Sequence, residues 1–402
     1  MGFQQGLSGL NAAAKNLDVI GNNVANSGTV GFKQSQAQFA DVYASSLTGA
    51  GGSSIGIGTK LATVAQQFTQ GNITATNNPL DIAINGGGFF RMDTNGEITY
   101  QRNGQFQLDR LGFIVSASGA KLTGYTANAA GVLSTGAPAP ISINTADIVP
   151  KVTGEINAVL NLDSSVGVLP AAGFNMNDPT TFHNSTSVSI YDSLGNQHTL
   201  QTYYVKTAAG QWNVYASTDG GPASLVGTLN FGTDGLLTTP MPLTTSVAVT
   251  TGAASPFNVD IDYTGTTQFG AAFSVNTLNQ DGYSSGRLAG YNIGADGIIL
   301  GRYTNGQSAV LGRVVLASFA NPNGLQPIGD NQWAETSTSG APLVGVPDSG
   351  SLGVLQSSAV EDSNVDLTAE LVNLITAQRV YQANAQTIKA QDAVLQTLVN
   401  LR

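Results

Sequence analysis

Apolar residues recur every seven positions at the two ends of the chain and alternate with polar ones in between. At the start, Phe3, Leu10, Leu17 and Val24 form one series, and Leu7, Ala14 and Gly21 complete the three-and-four spacing of a coiled-coil seam. This predicts an N-terminal helix with one narrow apolar stripe. At the far end Leu367, Leu374, Tyr381, Ile388 and Leu395 repeat in the same way, interleaved with Leu371, Gln378, Ala385, Asp392 and Val399. A second, longer helix is expected there, and Ser363 with Asp366 has the spacing of a capping box that would start it.

Between these ends the pattern is that of short strands. Asn95-Gly96, Asn103-Gly104, Asp234-Gly235, Asp296-Gly297 and Asn305-Gly306 are tight-turn dipeptides with apolar or aromatic flanks, which predicts hairpins. SVSIYDSLGNQHTLQTYYV, from Ser187 to Val205, reads as two strands around a turn. Pro138, Pro140 and Pro150 mark a boundary near residue 146, and NQDGYSSG from Asn279 marks another near 285. The expected fold class is therefore mixed: terminal α-helices form a coiled-coil-like core, with nested all-β domains inserted between them. The expected domains are a helical core (1–28 and 366–402), connecting segments (29–72 and 350–365), an inner β domain (73–146 and 286–349) and an outer β domain (147–285).

Helical ends with globular matter only between them are expected to pack together. Glycines at 2, 6 and 9 each cost the first helix up to about 1 kcal/mol relative to alanine, and isolated helices of this length are marginal in water. Each helix offers only a narrow seam, so further copies of the chain are expected to cover the rest. The plainer alternative is a single intramolecular helical hairpin and nothing more.

Composition narrows the function. Only 10% of the 402 residues are charged and the net charge is -10, without the clustered Lys and Arg that a nucleic-acid ligand requires. There is no cysteine, so no disulfide or thiolate metal site is available. The first residues lack a basic, apolar secretory signal, and no run approaches the roughly 20 apolar residues of a membrane span. The expectation is a protein without membrane or nucleic-acid contacts, exported, if at all, without a cleaved signal peptide.

Candidate chemistry is sparse. His183 and His198 are the only histidines, and neither stands at a metal-ligand spacing, so both are expected to be structural or exposed. Gly86-Gly87-Gly88 leads into Phe89-Phe90 and completes no phosphate-binding fingerprint; a turn or bulge feeding an apolar strand is the better reading. DTNGE, Asp93 to Glu97, resembles a calcium loop only superficially and reads as a hairpin turn. Glu361 and Asp362 could do acid/base work, but without a partner they are expected to solvate the loop before the C-terminal helix. No catalytic, cofactor-binding or metal-binding residue is assigned, and no enzyme activity is expected.

Four blocks carry a family resemblance: LDVIGNNVANSGTVGFK (Leu17 to Lys33), PLDIAINGGGFF (Pro79 to Phe90), YQRNGQFQLDRLGFIVSASGAKLTGY (Tyr100 to Tyr125) and SNVDLTAELVNLITAQRVYQANAQTIKAQD (Ser363 to Asp392). Together they resemble the bacterial flagellar rod and hook protein family. The chain length, the large insert and LASFANPNGLQPIGDNQWAETSTSG (Leu316 to Gly340) are similar to the hook branch of that family.

The resemblance implies a structural subunit, outside the cell in the flagellar hook, that polymerises into a curved, flexible tube and passes motor torque from rod to filament. It implies as partners further copies of the chain, the distal rod below, hook-filament junction proteins above, and the hook cap and export apparatus during assembly. Under it the heptad residues from Phe3 to Val399 become an assembly interface. Asn22, Asn23, Asn26, Gly28, Gly31 and Phe32 become a junction where the helix stops, with the asparagines accepting left-handed conformations and Gly28 suited to a C-cap. The segments around Gly31 to Gly71 would bridge layers of the tube. A rigid distal rod subunit is the nearest rival, and a secreted β-rich adhesin or hydrolase with helical tails is a rival of another class.

Overall fold

The heptad stretch at the N-terminus is helical over Gly2–Ala25 (α1) in a computed structural model that describes residues 2–42, 56–128 and 131–400. The chain then forms an antiparallel hairpin of Ser35–Val42 (β1) and Gly58–Gln66 (β2), with a bulge between Gln38 and Phe39. The C-terminal helix spans Leu367–Asn400 (α2). The described residues fall into two compact units, one from Met1–Asn144, Gly290–Gly301 and Ala309–Arg402, the other from Thr145–Ala289 and Arg302–Ser308.

In the first unit α1 packs against both α2 and the hairpin. The two glycines that weaken α1 as an isolated helix are where α2 comes closest. A Cβ on Gly6 would stand 3.1 Å from Ile388 Cγ1, and one on Gly9 would stand 2.7 Å from Asn384 Oδ1. The propensity cost is thus exchanged for close helix approach. α1 is also tied to the hairpin by Gln5 Nε2, which donates to the Gly56 carbonyl (2.6 Å), and by Ser8 Oγ, which accepts from Thr59 N (3.3 Å).

The start of α2 differs from the expected capping box. Asp366 is itself the cap, accepting from Thr368 N (2.9 Å) and Ala369 N (3.1 Å). Ser363 Oγ instead accepts from Val365 N, one turn too early to serve the helix. Asp366 is the side chain whose carboxylate reaches the orphan amides of the first turn.

The β part of this unit is a sheet in which residues of Lys121–Thr126, Phe89–Thr94, Glu97–Gln101, Gln332–Ala334 and Gln326–Gly329 follow one another, all antiparallel. Asn95 (φ 56°) and Gly96 (φ 95°) make the two-residue turn expected of them. Gly88, at φ 112°, feeds the strand Phe89–Thr94. Asn103-Gly104 closes no hairpin: the Gly104 carbonyl accepts from Ile82 N (2.9 Å), and any side chain there would collide with the Ile82 carbonyl. Phe68, Phe89, Tyr100, Phe319 and Trp333 meet edge to face with ring centroids 4.8–5.9 Å apart. Trp333 Nε1 donates to Gln66 Oε1 (2.6 Å), anchoring the hairpin to this core. Two short ladders, Ile73–Ala75 with Ala359–Glu361 and Ile82–Asn85 with Val354–Ser357, return the late chain to the early chain.

The second unit contains two four-stranded sheets. One is an antiparallel meander of Asn184–Tyr191, Gln197–Ala208, Gln211–Thr218 and Ser224–Asn230. The other runs Leu243–Val247, Phe257–Asp262, Glu155–Asn161 and Ser274–Gln280. Ile156, Leu160, Val259 and Ile261 from the latter share one core with Leu200, Tyr204, Trp212 and Leu229 from the former. Burial raises the Tyr204 hydroxyl to about 12. His198 is fixed between two carboxylates, its Nδ1 2.6 Å from Asp219 Oδ2 and its Nε2 3.3 Å from Asp192 Oδ2. His183 accepts from Lys206 N at Nδ1 (3.2 Å), which leaves Nε2 to donate to the Gly167 carbonyl (2.8 Å). Both histidines are structural.

Candidate functional site

Where α1 ends, the chain turns by ordinary tightened hydrogen bonds. Asn26 N donates to the Asn22 carbonyl (3.1 Å), Ser27 N to Val24 (3.3 Å) and Thr29 N to Asn26 (3.1 Å), while Asn26 Nδ2 reaches back to Asn22 O (3.0 Å). None of Asn22, Asn23, Asn26 or Gly28 takes a positive φ, so the left-handed stop expected at those residues is corrected. The left-handed residue is Gly31, at φ 72°. Sterics explain why it is glycine, since a Cβ would stand 2.5 Å from Asn103 N. Asn23, nearly fully buried, plays a different part: its side chain donates to Ser35 O (2.8 Å) and accepts from Ser35 N (2.9 Å), pinning the start of β1 as a neighbouring strand would. Phe32, half-buried, follows with its amide on the Thr29 carbonyl (3.2 Å).

Just beyond, the junction is locked around a carboxylate that sequence reasoning placed in solvent. Glu361 is 0% exposed. Its Oε1 accepts from Lys33 Nζ (2.6 Å) and Gly71 N (3.0 Å), and its Oε2 from Arg102 Nη1 (3.0 Å). Its carbonyl accepts from Gly31 N (2.8 Å). Lys33 also donates to the Thr69 carbonyl (2.7 Å) and Arg102 to the Gly86 carbonyl (2.8 Å). Burial lowers both cations below their ordinary values, against the opposing pull of Glu361. The expectation that Glu361 solvates a loop is thus overturned: it ties the α1 exit, the hairpin exit and the sheet of the first unit to the lead-in of α2. Asp362 is half-buried and accepts from Thr74 Oγ1 (3.3 Å). The available signal was the isolation of Lys33, the only charged residue between Asp18 and Asp41.

The heptad residues fall mostly outside the contact between the helices. Phe3 (46% exposed), Leu7, Leu367, Leu371, Tyr381 and Leu395 (54%) are exposed, and Leu10, Leu17, Val24, Leu374 and Ile388 are half-buried. The Val399 side chain lies outside the described residues. The face α1 turns to α2 and the hairpin carries Gly6, Gly9, Ala13, Ile20 and Asn23, displaced by roughly a quarter turn from the apolar stripe. Among the predicted residues, Ile388 is the one shown against α1, at Gly6. An apolar stripe therefore remains open on both helices beside their mutual contact. Between α1, α2 and the hairpin lies a groove of about 950 Å³ whose lining includes Ala12, Ala13, Asn16, Gln36, Glu370 and Ala377. Among the described residues, no cluster of His, Asp and Glu is placed to hold a metal, and no helix is long and apolar enough to cross a membrane.

Comparison with known proteins covers both helices and both units. Residues 3–33 match the family model described as flagella basal body rod protein, and residues 83–158 that of the flagellar hook protein FlgE/F/G D1 domain. Residues 161–283 match the flagellar basal body protein FlaE D2 domain, and 356–401 the flagellar basal body rod FlgEFG protein C-terminal. The chain is similar to the flagellar hook protein FlgE of Salmonella typhimurium, 44% identical over 411 residues and covering 100% of both chains. It is 42% identical to that of Escherichia coli K12, again over 100% of both. That of Borreliella burgdorferi is 32% identical, over 99% of this chain and 98% of the relative. In fold it resembles the crystal structure of Helicobacter pylori flagellar hook protein FlgE2, with a TM-score of 0.56, 13% identity, and coverage of 72% of this chain and 100% of that one.

Proposed function

The chain belongs to the flagellar hook protein family, and from that premise we propose that it is the repeating subunit of a flagellar hook, polymerising through its terminal helices into a curved tube that carries torque from rod to filament. The observation that carries this reading is the open apolar stripe on α1 and α2, from Phe3 and Leu7 to Leu371 and Leu395. Burying such side chains is worth about 1.5–3 kcal/mol each, and the chain's own hairpin and second helix leave them uncovered.

In this mechanism the helices carry the permanent contacts between subunits, and the β units carry contacts that lengthen and shorten as the tube bends in rotation. Surfaces rich in hydroxyls and amides suit that task, because a desolvated ion pair would fix one register. The Glu361 lock holds each subunit's ends in a fixed relation to its inner sheet, so load entering one reaches the other. The partners are other copies, the distal rod on one side, hook-filament junction proteins on the other, and the hook cap and export apparatus during growth outside the cell.

Leu7→Asp and Leu371→Asp test this, since both side chains are exposed in the single chain. Each should keep the parent's melting temperature yet abolish pelleting in sedimentation and tube formation in electron micrographs. Variants that still form tubes would refute the helical interface. Straight tubes from the parent chain would favour a rod subunit.

A further inference from the structure

We infer that His198 is a proton-operated latch: charged, it holds the turn between Gln211–Thr218 and Ser224–Asn230 against the strand Gln197–Ala208, and on losing its proton it lets that turn go. The imidazole lies between two carboxylates, Nδ1 2.6 Å from Asp219 Oδ2 and Nε2 3.3 Å from Asp192 Oδ2. An imidazolium donates from both nitrogens, whereas a neutral ring has one N–H and one lone pair. Only the charged ring can therefore meet both carboxylates. Among the described residues, Asp192 and Asp219 are the charged groups that act on it.

Burial decides which bond survives. Asp192 is 0% exposed. Its Oδ1 accepts from Leu194 N and Asn196 N (both 2.9 Å), and its Oδ2 from Asn196 Nδ2 (3.0 Å) and Thr251 Oγ1 (2.6 Å) as well as from the ring. Water cannot reach this carboxylate, and a ring lone pair turned on it at 3.3 Å would go uncompensated. The Asp219 side chain is 51% exposed, so water can take the ring's place there. The neutral ring thus keeps its one proton on Nε2, and its Nδ1 lone pair opposes Asp219 Oδ2 across 2.6 Å.

That opposition reaches the backbone. Asp219 Oδ1 accepts from Thr199 N (2.8 Å), and Asp219 N donates to the Thr199 carbonyl (2.9 Å). A carboxylate turned away from the ring gives up the first of these bonds and weakens the second. The turn has no packing to replace them, since Asp219 and Gly220 are exposed and a Cβ on Gly220 would meet nothing within 4 Å. Its own bonds stay intact, Ser217 Oγ donating to the Gly221 carbonyl (2.7 Å) and Gly221 N to the Thr218 carbonyl (2.8 Å), so it swings as one piece. Burial works against charge on the ring, but the two carboxylates outweigh it and hold its pKa above 6.5. The latch is closed below that raised value and opens as pH rises through it.

The test is hydrogen exchange read by mass spectrometry on the full-length, unassembled chain at about pH 6 and about pH 9, with labelling times scaled for the intrinsic rate. The segment 197–200, which carries the Thr199 amide, should exchange at least fivefold faster at the higher pH, while 192–196 keeps its protection. His198→Gln has no titrating ring and should lose the pH dependence. Asp219→Asn places an amide donor opposite the neutral Nδ1 and should lose it too, so the test does not depend on one variant folding. Equal protection of 197–200 at both pH values in the parent would overturn the latch, as would the parent's acceleration in either variant. Faster exchange in 192–196 and around Thr251, with 197–200 unchanged, would overturn the choice of Asp219 as the bond released.

Discussion

Replacing Glu361 by glutamine should loosen the first unit severely while leaving the second untouched. The carboxylate holds two cations and one amide, Lys33 Nζ at 2.6 Å, Arg102 Nη1 at 3.0 Å and Gly71 N at 3.0 Å. Glutamine keeps the shape but offers one acceptor oxygen, and its amide points donors at a cation. With that oxygen kept toward Lys33, Arg102 would retain only the Gly86 carbonyl and face an NH2 group, and Arg102 Nε already lacks a partner. Breaking a buried pair by removing one member costs about 3–5 kcal/mol, a large share of the roughly 5–15 kcal/mol of an ordinary domain.

The chain's two tryptophans make the effect separable. Trp333 lies in the first unit and Trp212 in the core of the second. In urea, a Trp212→Phe background should report a shift of about 3–5 kcal/mol on Glu361→Gln, and a Trp333→Phe background should report almost none. Exchanging all three charges together, Lys33→Met, Arg102→Met and Glu361→Gln, should recover much of the loss. A shift below about 1 kcal/mol, the scale of an exposed pair, would refute the reasoning, as would equal shifts in both units.

Gly9→Leu should wedge α1 from α2 at Asn384 and cost about 1–3 kcal/mol, read as faster hydrogen exchange along α1; unchanged exchange would mean the helices do not depend on that approach. Gly31→Val should be worse than Gly28→Val, because a positive φ and the Asn103 backbone constrain only the former; melting temperatures decide it. The second unit should be most stable in mildly acidic solution. Burial alone would lower the His198 imidazole, but its bonds to Asp219 and Asp192 hold it above 6.5, so that contribution is full below pH 6.5 and fades as pH rises through the raised value. Burial would likewise raise Asp192, yet donors from Thr251, Asn196 and His198 hold it below 3.8, so its contribution is present above that pH and fades as acid titrates it. His198→Gln should flatten the alkaline limb of melting temperature against pH, and an unchanged limb would exclude His198 as its source.

The helices and most hairpins were legible because each rests on a short-range pattern, seven-residue spacing for α1 and α2 and a Gly-based turn at Asn95-Gly96. Asn103-Gly104 misled because its glycine answers a neighbour, the Ile82 carbonyl, rather than a turn. The hairpin of β1 and β2 left little trace, as both strands are largely exposed and SQAQFADV alternates only weakly. The helix contact was displaced for a related reason. Apolar periodicity marks what is greasy, and the face of α1 against α2 is made of Gly6, Gly9 and Ala13. The lock was hidden by distance, since Lys33 and Glu361 are 328 residues apart and Glu361, next to Asp362, reads as part of a solvated acidic loop.

That separation also sets an order of events. A chain delivered from its N-terminus presents Lys33 early and Glu361 only when nine-tenths of it has emerged, so the exit of α1 cannot be fixed to the sheet of the first unit until then. Local turns and hairpins can close first, and this closure, which gathers a loop of 328 residues, comes late, with the still longer α1–α2 contacts. Chains interrupted before residue 361 lack the carboxylate, the strand that carries it and α2 together. Such fragments should be absent from tubes when mixed with complete chains, so that completeness of synthesis is checked by the fold itself before a subunit is admitted.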